Sequence, residues 1–247
     1  MTNFQTSSQG HSVGKYSKNQ LKLSSIAYLT TGLGLLTTFL VALGFAVVFE
    51  NATTEVRDNL SIVATFSLLL SLILSIVWQF RVMKAGMGFR LFTILIYCLA
   101  NGIGFGSLFA VIDNTEIVAA FGITAAVCAI CYFVSRFLTE KAAMTLSKLI
   151  MVMFGVYFVI AITTFFSWTL GVQGGFTGNV LEIGIAVLVP MILLLAITFQ
   201  MWNISRMDQF INDSEQSMAY GMFLGFMLLM MIIQITWQIL RIISYFK

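Results

Sequence analysis

Residues able to do chemistry are few in this chain: one histidine, three cysteines and 10 Asp or Glu among 247 residues. His11 lies in a polar stretch ahead of the first apolar segment, so no Ser–His dyad can form inside the apolar segments, and no H-E-x-x-H motif is present. Cys128 and Cys131 form a C-x-x-C, a spacing that serves redox or zinc chemistry in soluble proteins. No second Cys or His pair is there to complete a metal site. One turn apart in an apolar helix, the two thiols read as small, polarizable packing groups. A membrane aspartyl protease needs two embedded carboxylates sharing a proton, and no Asp or Glu lies deep in an apolar run. Nucleotide-binding glycine loops with their lysine are missing too. The chain is therefore expected to be non-enzymatic, with no cofactor, no metal centre and no nucleic-acid partner.

The polar side chains that do fall within apolar segments are mainly the amides Asn101, Gln200, Gln234 and Gln238, with scattered Ser and Thr. Asn101, Gln200 and Gln234 are candidates for lining or gating a weak polar path. Amides do not titrate, which argues against proton-coupled transport through the core. Pro190, the single proline, lies near the middle of its segment. There it removes a backbone hydrogen bond, which is expected to kink the helix and free the Ala186 carbonyl, so Pro190 joins the candidate gate residues.

The elements that must position these groups are apolar segments at 26–49, 60–80, 91–112, 117–135, 149–170, 181–202 and 219–240. Each is about 20 residues, the length that crosses a bilayer's hydrocarbon core as a helix. Strict alternation of apolar and polar residues, the pattern of a barrel strand, is absent. With 59% hydrophobic and 9% charged residues, the composition predicts an all-α integral membrane protein, a seven-helix transmembrane bundle in the lipid bilayer. Residues 1–20, rich in Ser, Gln and Asn, read as a disordered cytoplasmic tail, and 21–247 as the seven-span domain.

Orientation follows the basic residues. Lys15, Lys18, Lys22, Arg81, Lys84, Arg90, Arg136, Lys141, Lys148 and Arg206 fall on the side of the N-terminus, against Arg57, Arg241 and Lys247 on the other, 10 to 3 of the 13 present. The N-terminus is expected in the cytoplasm and the C-terminus outside; the basic tail 241–247 is the one discordant piece, and a half-inserted last segment would put it inside instead. Of the outer acids, Glu116 with Asp113 and Glu182 with Asn179 have the spacing of helix-capping pairs.

Lipid gives helices no hydrophobic reason to associate, so close contact relies on small residues. The third segment carries Asn101-Gly102-Ile103-Gly104-Phe105-Gly106, and the seventh carries Gly221 and Gly225 as a G-x-x-x-G pair. Gly102, Gly106, Gly221 and Gly225 are the expected packing positions.

The order of segments resembles the Bax inhibitor-1 family of multi-pass membrane proteins, in the manner of a divergent bacterial member. The resemblance rests on 27–36 in the first segment, 100–106 in the third, 120–126 at the start of the fourth, the link 139–147, and 217–220 with 239–242 in the last. It implies seven helices with the last one surrounded by the other six, in the cytoplasmic membrane of a bacterium. Several such proteins conduct calcium as a pH-sensitive leak, governed by two aspartates that share a proton, one on the sixth helix and one on the seventh. In this chain the first aspartate's place falls on Gln200. The second falls on Gly225 or Met231, depending on the alignment. The resemblance thus implies a role in ion (calcium) or stress homeostasis without the paired-aspartate latch. The alternative it leaves open is a non-conducting regulator that binds another membrane protein, such as a membrane-anchored AAA+ protease, through the tail or the loop 203–216. Without carboxylates in the pair, any flux is expected to vary little between about pH 6 and 8.

Overall fold

Seven helices account for nearly all of residues 22–81, 84–110, 112–169, 176–209 and 214–245, the parts described by the computed structural model of the protein. They are α1 (Leu23–Glu50), α2 (Thr54–Arg81), α3 (Met87–Phe109), α4 (Asn114–Phe137), α5 (Glu140–Thr169), α6 (Phe176–Met207) and α7 (Ser214–Tyr245). No strand occurs among the described residues, and all seven helices are long and apolar enough to cross a membrane. This is an integral membrane protein. The 1–20 tail lies outside the described residues.

The helices overrun the apolar segments. α1 and α2 each have 28 residues and α6 and α7 each 32. At about 1.5 Å per residue that is roughly 42–48 Å, the thickness of hydrocarbon plus headgroups. Hydropathy detects only the stretch inside the hydrocarbon. The helical hydrogen-bond ladder continues through polar end turns such as Ser24-Ser25 and Asp58-Asn59.

α7 stands at the centre. It packs against α1, α4 and α6, and more lightly against α3. Trp78 brings α2 to it as well, its ring tilted against that of Phe226 with centroids 4.3 Å apart, and Tyr97 of α3 meets the same ring edge-on at 4.7 Å. Trp78, Phe226, Leu228 and Leu229 are fully buried there, closing the middle of the bundle with apolar bulk. α5 is the outlying helix. It packs chiefly on α6 and leaves Met151, Val152 and Phe158 facing outward.

α1 is the scaffold on which glycines seat two other helices. A Cβ built on Gly102 of α3 would lie 2.8 Å from the Thr38 carbonyl oxygen, and one on Gly106 2.7 Å from that of Ala42. On α7, a Cβ at Gly221 would lie 3.0 Å from the Leu23 carbonyl oxygen, and one at Gly225 would collide with that of Ala27. Only residues without a side chain let these backbones come so close. The contact is sealed by Thr31, whose hydroxyl donates to the carbonyls of Ala27 and Gly225, both at 2.9 Å.

One helix end differs from the sequence expectation. Asp113 occupies the N-cap of α4, but its backbone carbonyl, not its carboxylate, takes the N–H groups of Glu116 (2.9 Å) and Ile117 (3.2 Å). The side chains of Asn179 and Glu182 lie outside the described ones. At α1, the start is capped from a distance: the Ser24 N–H and hydroxyl donate to the Asp208 carboxylate at 3.3 and 3.2 Å. That carboxylate satisfies a first-turn donor that has no partner within its own helix, and it faces the positive end of the helix dipole. Asp208→Ala is expected to lower stability by about 1 kcal/mol, the usual value of a lost cap. Asp208→Asn should retain most of it. Melting of the two variants in detergent checks this, and equal losses would mean that the acceptor geometry is immaterial.

Candidate functional site

The amides are tied down at different places. Gln200, buried on α6, donates its Nε2–H to the backbone carbonyl of Leu224 on α7 at 3.3 Å. A carbonyl keeps a second lone pair beyond its own helical bond, so the side chain can join the two helices without breaking α7's ladder. The residue after that carbonyl is Gly225. Of the two alignments of the last helix, the one through Gly225 is therefore beside Gln200, while Met231 lies about two turns further along. Yet Gly225 turns its bare face to the α1 backbone at Ala27, leaving no room there for a side chain.

Asn101 is buried on α3 and donates to the Tyr97 carbonyl of its own helix at 2.9 Å. Gln234 is exposed and lines a side cavity of about 370 Å³ where α5, α6 and α7 meet, with Tyr157, Ile192 and Trp237 among its neighbours. The three amides that the sequence suggests as one polar path are thus not brought together. One bonds within α3, one clasps α6 to α7, and one faces a lateral cavity. The physical reason is that a buried amide in an apolar bundle satisfies itself on the nearest backbone carbonyl.

Pro190 lies half-buried within α6, which runs as one helix from Phe176 to Met207, and its neighbour Val189, not the proline, is among the residues lining the same cavity. Gln238, four residues beyond Gln234, was not singled out by sequence reasoning as a site residue. Its Oε1 is buried with no hydrogen-bond partner, and its side chain lines both this cavity and an adjoining one of about 490 Å³ toward Arg241. The available signal was the one-turn spacing of the two glutamines, which puts both on one face.

The cysteines are dispersed. Cys98 is buried near Gly34 of α1, and Cys131 is close to the Leu194 carbonyl of α6 at 3.7 Å. Cys128 lines a long groove between α1 and α4. At the end of the bundle near the α4–α5 link, Trp202 of α6 donates to the Leu138 carbonyl at 3.1 Å, and Arg206 lies 5.7 Å over the Trp202 ring.

A family model described as Bax inhibitor 1 like matches residues 2–247. Neither the curated proteins nor the solved structures contain a match to the chain.

Proposed function

This chain belongs to the Bax inhibitor 1 like family, and from that footing we propose that it serves membrane ion homeostasis. In this reading it is a non-enzymatic leak for calcium or another cation, with a role in stress tolerance. It sits in the bacterial cytoplasmic membrane with its N-terminus inside, and it is closed in the conformation described. The observation that carries this reading is the Gln200 amide on the Leu224 carbonyl. It holds α6 against α7 at the place where the family's resemblance sets a carboxylate pair, and it does so with a group that does not titrate. Gln234, exposed on the cavity between α5, α6 and α7, supplies an oxygen atom at which a partly dehydrated cation can rest on its way in, and Gln238 lines the same cavity one turn on.

Calcium flux into liposomes tests it. Wild-type rates at pH 6 and pH 8 should agree within about twofold, since ordinary Asp, Glu and Lys groups do not titrate between those values. Gln200→Ala removes the clasp. A polar contact between membrane helices is worth about 0.6–1.7 kcal/mol, so the rate should rise roughly threefold to twentyfold at both pH values. A steep pH response in the wild type would defeat the reading and direct attention to Glu182. Absence of flux in both proteins would favour the alternative, a non-conducting regulator that binds another membrane protein such as a membrane-anchored AAA+ protease. The outward face of α5 speaks for that alternative, as it offers a partner exposed apolar side chains from Met144 to Ile162. The loop 203–216 offers less, since Asn203–Met207 is still helix and Asp208 is engaged by Ser24.

A further inference from the structure

Between α1 and α4 runs a groove of about 1040 Å³ that the proposed leak does not use. Along α1 it extends from Gly32 to Glu50, and its floor is formed by the Phe39–Phe121 ring contact together with Ile232 and Thr236 of α7. From Gly32 to Glu50 the helix rises about 27 Å, so the groove reaches from headgroup level past the middle of a hydrocarbon core about 30 Å thick. Its hydroxyls make no demand on an occupant: Thr124 and Thr236 donate to the Ala120 and Ile232 carbonyls of their own helices, both at 2.8 Å.

Apart from Glu50 the lining is apolar side chains, one cysteine and the two self-satisfied threonines, a surface that suits extended hydrocarbon. Charge at the mouth selects the headgroup. Glu50 is the single charged residue of the lining and is exposed. Arg57 is fixed beside it, donating to the Phe49 and Glu50 carbonyls at 3.1 and 2.7 Å. A guanidinium has five N–H donors, so this one retains others. A carboxylate next to a guanidinium complements a headgroup that carries an ammonium next to a phosphate.

We infer that the α1–α4 groove is a binding site for a phospholipid with a primary amine headgroup, phosphatidylethanolamine, its chains along Gly32–Val47 and its ammonium on Glu50. The test uses the full chain in nanodiscs of phosphatidylethanolamine, phosphatidylglycerol and phosphatidylcholine in equal parts. Lipid that stays bound after release into mild detergent is read by native mass spectrometry. A Cβ at Gly32, which lines the groove, meets nothing within 4 Å, so Gly32→Phe adds bulk to the groove from a position with space for its first carbon. Ala125→Phe on the α4 wall is a second, independent block.

The wild type is expected to retain phosphatidylethanolamine over the other two lipids by about fivefold, the scale of one exposed ion pair. Both blocking variants should lose the retained lipid while melting like the wild type. Glu50→Gln should keep lipid but lose the preference. Undiminished retention in both Phe variants, a wild-type preference for phosphatidylglycerol, or a dimer that Gly32→Phe dissociates would each overturn the assignment. The last outcome would give the groove to a second copy. None of these readouts depends on ion flux, so this inference and the proposed leak stand or fall separately.

Discussion

Gly225→Ala should destabilise the protein by about 3 kcal/mol, the upper part of the range for adding a methyl to a packed interior. The reason is that the new Cβ meets backbone. It would collide with the Ala27 carbonyl oxygen and lie 2.9 Å from the Ala27 Cα. No rotamer change relieves such a contact, so α7 must move off α1. Moving it lengthens the Thr31 hydroxyl's bond to the Gly225 carbonyl, now 2.9 Å. Gly155→Ala on α5 is the matched control. A Cβ there finds nothing within 4 Å, so alanine should raise stability by about 0.5–1 kcal/mol through helix propensity alone. Thermal melting of both variants in one detergent measures the difference in sign. If Gly225→Ala melts no lower than wild type, the close approach of α1 and α7 is wrong.

Gln200→Glu should turn a pH-insensitive contact into a sensitive one. The substitution keeps the shape and exchanges the donor. A protonated carboxyl donates to the Leu224 carbonyl as the amide does, whereas an ionised one sets negative charge against a carbonyl oxygen in a buried site. The variant's stabilising contact is therefore present at low pH and lost as pH rises through the titration of that carboxyl. Breaking a buried polar partnership and leaving a charge behind costs about 3–5 kcal/mol. Melting followed from pH 5 to pH 8 should show the variant near wild type at the acidic end and well below it at the basic end. A flat profile would mean that the side chain swings out to water. Placing the second carboxylate at Gly225 is not a sound way to rebuild an aspartate pair, because that position has no space for a side chain.

The seven spans were legible because burial in hydrocarbon demands runs of apolar residues, whatever each helix packs against. The ends were less legible, since Ser24, Thr54 and Glu140 belong to helices by hydrogen bonding and not by hydropathy. Glycine spacing announced close packing at Gly102, Gly106, Gly221 and Gly225, but not that all four face the same helix, α1. The amides were visible as a set and misleading as a path. Nothing in the local sequence tells that Asn101 reaches back to Tyr97 while Gln200 reaches across to Leu224. Asp208 left no trace at all, because its partner Ser24 is 184 residues away and only the folded chain brings them together.

The seat of α7 against α1 also sets an order of events at the ribosome. α1 is made before α7, and one of its two glycine-lined contacts is completed by that helix almost 200 residues later. At about 5–20 residues per second that interval is roughly 10–40 seconds. During it the nascent bundle has an open seam at Leu23–Ala27, and the first turn of α1 waits for Asp208. A chain released before α7 keeps that seam exposed to lipid and to any quality-control protease patrolling the membrane. Closure of the α1–α7 seat thus waits until α7 has left the ribosome and entered the membrane.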